Sequence, residues 1–112
     1  MKTVTLQVAT LEEVKRPAQD AFKGKKQGAR ISLTTPELLF RLMTAKRWEL
    51  VRAMAGAGPL TIRGVARRVN RDVKAVHGDV QALLHTGILQ KSGGLIVFPF
   101  DAIRVDVMLR AA

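Results

Sequence analysis

Residues 59 to 98 contain the order of local signals that most restricts the fold. Thr61 can cap a short helix, "IRGVARRV", and only Asn70 to Asp72 separate it from a longer helix capped by Asp72. The longer helix has one apolar stripe, made by Val73, Val76, Val80, Leu83 and Leu84. Gly87 supplies a left-handed residue that ends it, and "ILQKSGGLIVFPF" then predicts a hairpin with glycines at its tip. We therefore expect a short helix, a tight turn, a longer helix and a hairpin.

A further helical region precedes this series. "TTPELLF" is a helix start, with Thr35 as the cap and Pro36 at the first helical position. The apolar pattern continues to Met54, either without interruption or with a break near Thr44, and it stops at "GAGP". We place Trp48 in the core, together with the Phe98 to Phe100 pair.

Both ends of the chain are predicted to contain strands. Residues 3 to 9 and "ARISLTT" alternate in hydrophobicity, and between them Thr10 can cap a helix that Pro17 would kink. Ala102 to Leu109 reads as a last strand, with a short helix as the alternative. Unpaired edges are seldom left exposed, so these three strands are expected to pair with each other or across a two-fold axis in a homodimer.

The composition favours a soluble domain that binds a polyanion. The formal net charge is +10, and 47% of the residues are hydrophobic. Nucleic acid, an anionic membrane surface or an acidic protein are the candidate partners. No cysteine is present, no signal peptide opens the chain, and no apolar run approaches the length of a membrane span. We expect a cytoplasmic protein that does not enter membranes.

Catalytic and cofactor signals are weak. His77 and His85 are separated by roughly 12 Å along a helix at 1.5 Å per residue, which is too far to chelate one metal. "GKKQG" lacks the glycine and the Ser or Thr of a phosphate-binding loop, and no serine has the context of a nucleophile. We therefore expect neither an enzyme nor a bound cofactor.

The segment "AKRWELVRAMAGAGPLTIRGVARRVNRDVKAVHGDVQALLHTGIL" resembles the winged helix-turn-helix regulators of the MarR/ArsR type. The likeness covers about half of the chain and rests on an ordered series: the helix-opening Arg47 and Trp48, the "GPLTI" start of the second helix, and the spacing from Val73 to Gly87. Two positions depart from the pattern. Gly64 replaces a Glu that would complete a capping box with Thr61, and Gly78 replaces a large polar residue in the reading helix.

The resemblance implies an α+β fold and a sequence-specific regulator of transcription, expected to be a repressor. The helix at about 72–86 would enter the major groove of double-stranded DNA, and the wing at about 88–98 would lie on the backbone. The implied DNA-binding residues are Arg63, Arg67, Arg71, Lys74, Ala75, His77, Gly78, Gln81, Lys91 and Ser92. When bound to DNA the protein would be associated with the nucleoid. Asp79 is expected to turn toward the second helix or toward solvent.

The sequence is expected to form two domains. Residues 1–34 form an N-terminal strand-helix-strand for dimerisation or partner binding, and residues 35–112 form the winged helix-turn-helix with its C-terminal strand. The basic loop Lys23 to Lys26 is either a solvated turn or a phosphate clamp. The arrangement is also similar to small DNA-binding antitoxins, so the alternative is an antitoxin or protein-interaction subunit that binds a toxin or another partner protein. In that case DNA reading would be weak or lost.

Overall fold

The computed structural model describes residues 1–9 and 28–108, which contain four helices and two small sheets. The elements in chain order are β1 (Thr3–Val8), β2 (Ala29–Leu33), α1 (Pro36–Leu42), α2 (Ala45–Met54), α3 (Ile62–Val69), α4 (Val73–Thr86), β3 (Gln90–Ser92), β4 (Leu95–Val97) and β5 (Ala102–Asp106). The α+β class is therefore confirmed. The expected helix after Thr10, with its kink at Pro17, and the loop Lys23 to Lys26 lie outside the described residues.

The strands at the two ends of the chain form one parallel sheet in the order β2-β1-β5. Val4 lies opposite Ala29 of β2 on one side and Ile103 of β5 on the other. Pairing within one chain is thus the first of the two arrangements expected from the sequence. The last strand ends at Asp106, and Leu109 lies outside the described residues.

Side-chain caps set the beginning of all four helices. The hydroxyl oxygens of Thr35, Thr44 and Thr61 accept hydrogen bonds from backbone amides three residues later, at 3.2, 3.3 and 2.9 Å. The carboxylate of Asp72 accepts from the amide of Lys74 at 3.0 Å. The expected caps at Thr35, Thr61 and Asp72 are confirmed, and the break near Thr44 separates α1 from α2.

The turn between α3 and α4 and the end of α4 both use left-handed residues. Asn70 has φ 54°, and the amide of the next residue, Arg71, donates to the carbonyl of Ala66 at 3.0 Å. Gly87 has φ 91° and ends α4 as predicted. These local bonds determine where each helix stops, and only three residues separate the end of α3 from the start of α4.

The two sheets and the helices share one hydrophobic core. Val4 and Leu6 of β1 belong to the same buried cluster as Leu50, Val65 and Leu83 of the helices. Phe98 and Phe100 are buried in it with their rings edge to face, and Trp48 packs against it, so their predicted core positions are confirmed. Val73 was predicted to be part of the buried stripe of α4, which is wrong: its side chain is 40% exposed, since it lies in the first turn of the helix.

The hairpin of β3 and β4 is fastened to the segment that precedes α3. The amide of Leu60 donates to the carbonyl of Ile96 at 2.8 Å, and the amide of Ile96 donates back at 2.7 Å. Among the described helices, none is long and apolar enough to cross a membrane.

Candidate nucleic-acid interface

The two faces of α4 differ sharply in exposure. Val76, Val80 and Leu83 are completely buried against the core. The opposite face is exposed and is formed by Lys74, Ala75, His77, Gly78 and Gln81. The sequence assigned these five residues and Arg71 to the reading face, and the helix brings the five together on one side. Their amine, imidazole and amide groups can donate hydrogen bonds to base edges.

Helix α3 presents arginines beside α4. Val65 and Ala66 are buried, while Arg63, Arg67 and Arg68 are exposed. Arg68 also reaches the carbonyl of Ala53 in α2, at 3.5 Å. Helix α3 packs against α4, so its exposed arginines belong to the helix next to the one with the face described above. Guanidinium groups in such a position suit contacts with phosphate oxygens.

The hairpin provides a further basic group. Lys91 and Ser92 are exposed in β3, immediately before the turn at Gly93, whose φ is 63°. The bonds between Leu60 and Ile96 hold this hairpin at the start of α3. The predicted positions of Lys91 and Ser92 near the tip therefore match the structure.

Arg71 differs from the other predicted site residues because its side chain is engaged inside the protein. One of its guanidinium nitrogens donates to the carboxylate of Asp79 at 2.8 Å, and only 19% of the side chain is exposed. Arg47 of α2 donates to the other oxygen of the same carboxylate at 3.0 Å. Asp79 thus lies between two arginines with its side chain 15% exposed. Asp79 was expected to turn toward α3 or solvent; its carboxylate instead lies between Arg47 of α2 and Arg71 in the turn that follows α3.

Arg47 connects three elements through this cluster. Besides binding Asp79 of α4, its guanidinium donates to the carbonyl of Leu42 at 2.9 Å, at the C-terminal end of α1. This bond satisfies a carbonyl that has no partner within its own helix. Sequence analysis placed Arg47 only in the opening of a helix. Its partner was not predicted because 32 residues separate it from Asp79.

The Arg47–Asp79–Arg71 cluster also determines the charge of the exposed face of α4. From Lys74 to Gln81, the one carboxylate is that of Asp79, and it is held inward by the two arginines. The outward side chains are therefore basic or neutral. A polyanion that approaches between Lys74 and Gln81 meets no outward carboxylate, and the carboxylate of Asp72 lies at the start of the helix, bonded to the amide of Lys74.

Gly64 and Gly78, which depart from the pattern of the regulators that the sequence resembles, have different surroundings. A Cβ at Gly64 would lie 3.2 Å from the hydroxyl oxygen of Thr61, which caps the same helix. A Cβ at Gly78 would meet no atom within 4 Å. A side chain at position 64 would thus need a small shift of the Thr61 hydroxyl, and one at position 78 would need none.

Comparison with known proteins identifies one family. The family model HVO_A0114 matches residues 42–105, which is 64 of the 112 residues and extends from the last residue of α1 into β5. No curated protein and no solved structure matches the chain. The matched region contains every residue of the interface described above.

Proposed function

The chain belongs to the HVO_A0114 family, and we propose that it is a sequence-specific double-stranded DNA-binding protein that regulates transcription. In this proposal the described helices and hairpin form a winged helix-turn-helix. Helix α4 lies in the major groove, and the β3–β4 hairpin is the wing. Repression is the expected outcome, since a protein bound across a promoter blocks access to it.

The observation that carries the proposal is the composition of the exposed face of α4. It combines hydrogen-bond donors, a helix of a length that fits the groove and the absence of an outward carboxylate between Lys74 and Gln81. The ion pairs of Asp79 with Arg47 and Arg71 keep the carboxylate off this face. Together with the exposed arginines of α3, this face has the charge and the shape expected of a DNA reader.

Individual residues take different roles in this proposal. Lys74 and Gln81 read guanine or adenine edges, and His77 donates to either. Ala75 and Gly78 allow close approach of the helix to the bases. Arg63, Arg67, Lys91 and Ser92 contact phosphates. Arg71 holds Asp79 and thereby positions the reading helix, in place of the direct contact expected from the sequence.

Binding to labelled fragments of the protein's own promoter, at two salt concentrations, tests the proposal. A sequence-specific reader prefers some fragment over random duplex at both concentrations, whereas a non-specific cation binds all fragments alike and loses affinity with salt. Equal affinity for every fragment would remove the main support for a regulator.

Two matched alanine variants then separate reading from charge. Lys74→Ala should relax the preference at one base position by about 1–3 kcal/mol. Arg67→Ala should weaken binding to all sequences evenly and reduce the slope of log affinity against log salt by about 1. Both side chains are exposed, so neither change should affect folding. Identical effects of the two variants would contradict the assignment of Lys74 to base reading.

A protein-binding function, such as that of an antitoxin, is the second candidate and is favoured by one observation. Phe40 of α1 is 69% exposed and Leu38 is 40% exposed, and large exposed apolar side chains are typical of protein interfaces. If the wild-type protein prefers no promoter fragment, and Phe40→Ala weakens its binding to the protein encoded beside it, the interaction-subunit function replaces the regulator.

A further inference from the structure

The outer edge of β5 has backbone groups available for another strand. The amide of Ala102 donates to the carbonyl of Lys2 at 3.3 Å, so Ala102 directs its backbone toward β1. Because successive residues of a strand point their amides and carbonyls to opposite sides, Ile103 and Val105 direct theirs away from β1. In the described ranges the sheet ends at β5, and no strand pairs with that side.

The apolar face of the sheet continues to this edge. Ile103 and Val105 lie in register with Val4 and Leu6 of β1, and alternate side chains of paired strands share a face. Leu6 is completely buried, whereas Val105 is 41% exposed. Val107 follows in the same direction and is 40% exposed. An added strand would cover this apolar surface.

The residues of β5 match those of a second β5 that runs antiparallel to it. From Ile103 the residues read Ile, Arg, Val, Asp, Val, so the central Val105 has opposite charges on its two sides and apolar residues beyond them. In an antiparallel pair centred on Val105, Arg104 of one copy lies opposite Asp106 of the other, and Ile103 lies opposite Val107. We propose that β5 pairs with β5 of a second copy about a two-fold axis at Val105, which joins two three-stranded sheets into one of six strands.

The charges select this register. An axis at Arg104 would place two arginines opposite each other, and an axis at Asp106 would place two aspartates opposite each other, both of which are destabilising. If the register between the two copies shifted by one residue, so that the axis lay between two residues, apolar side chains of one copy would lie beside polar side chains of the other. The Arg104 and Asp106 side chains already lie on one face, 3.1 Å apart, where they can meet the partner's charges.

The other edge of the same sheet lacks this complementarity. Reversed pairing of β2 about Ile31 would place Arg30 opposite Ser32 and Ala29 opposite Leu33. No pair of opposite charges forms between the two copies at this edge. The self-complementary edge is therefore β5, and a second copy of this chain is the partner that supplies the matching charges.

Charge-reversal variants test this interface by sedimentation of the protein in the absence of DNA. The wild-type protein should dimerise. Arg104→Asp places aspartates opposite aspartates, and Asp106→Arg places arginines opposite arginines, so each variant alone should dimerise more weakly by roughly tenfold or more. An equimolar mixture restores two opposite-charge pairs between unlike chains, and native mass spectrometry should detect a heterodimer. The mixture is decisive because the ion pair between positions 104 and 106 of the same chain is absent in both variants, so recovery of the dimer must come from pairs between the chains.

A matched control and an independent variant complete the experiment. Arg30→Asp makes the same charge reversal on β2 and should leave the dimer unchanged. Val105→Lys places two like charges directly on the axis and should give a folded monomer, with folding checked by circular dichroism. The proposal is overturned if the wild-type protein is a monomer, if Arg104→Asp dimerises as the wild type does, or if the mixture contains no heterodimer. Since no DNA is present, these results do not depend on the proposed DNA binding.

Discussion

Gly78 lies in the middle of α4, on the exposed face, with open space where a side chain would be. Glycine in a helix interior has more backbone entropy to lose than alanine. Gly78→Ala should therefore raise the free energy of unfolding by about 0.5–1 kcal/mol, measured by urea denaturation. If the same variant binds the preferred duplex more weakly, the glycine serves close approach to DNA.

Gly87 is the control for this prediction, because it ends the same helix with φ 91°. An alanine side chain is strained in that conformation although no atom lies within 4 Å of its Cβ. Gly87→Ala should thus destabilise the protein while Gly78→Ala stabilises it. If both variants shift stability in the same direction, helix propensity at Gly78 is not the dominant effect.

At the scale of elements, the Arg47–Asp79–Arg71 cluster fixes how α4 lies on α2 and on the turn after α3. Asp79→Asn keeps the shape of the side chain but leaves two largely buried guanidinium groups without a counter-charge. We expect the free energy of unfolding to fall by about 1–3 kcal/mol, measured by urea denaturation.

Glu49→Gln is the matched control for Asp79→Asn. Glu49 also faces a basic side chain, Lys46, but at 4.0 Å and with both side chains more than half exposed. Its replacement should change stability by less than about 0.5 kcal/mol, because solvent screens exposed ion pairs. Equal losses in the two variants would contradict the anchoring role of Asp79.

Local signals account for the elements that sequence analysis placed well. Thr35, Thr61 and Asp72 cap helices through bonds to residues only two or three positions away, and Gly87 ends one through its own backbone. Such bonds can be inferred from neighbouring residue types. The helix boundaries and the hairpin therefore agree with the structure.

Contacts between distant residues account for what was missed. The Arg47 to Asp79 pair spans 32 residues, and no local pattern indicates it. For the same reason Arg71 was assigned to DNA. Its position in the turn predicts an exposed side chain, whereas in the structure its guanidinium binds Asp79, eight residues later. Val73 fits the apolar period of α4, but periodicity does not show whether other elements cover the first turn of the helix, and Val73 is 40% exposed there.

For the whole molecule, the shared core predicts that both ends of the chain unfold with the helices. Leu6 of β1 is completely buried in the same cluster as Leu83 of α4. Leu6→Ala should cost about 2–5 kcal/mol and lower the midpoint of a single transition, followed by the fluorescence of Trp48 in α2, the one tryptophan of the chain.

Leu38→Ala removes the same atoms from a side chain that is 40% exposed, so it should have a much smaller effect. This pair of variants also tests the division into domains at residue 34. If Leu6→Ala leaves the transition of Trp48 unchanged, the N-terminal strand is an independent unit and the two-domain division is correct.

The paired bonds between Leu60 and Ile96 have a consequence for how the surface meets a curved partner. Because β4 and the start of α3 are joined at this one point, the hairpin tip and the arginines of α3 keep a constant separation. The basic groups of the hairpin tip and those of α3 are therefore held at a fixed distance from each other. In the proposed complex, the phosphates of a duplex would have to match that spacing, so binding would depend on the width of the groove.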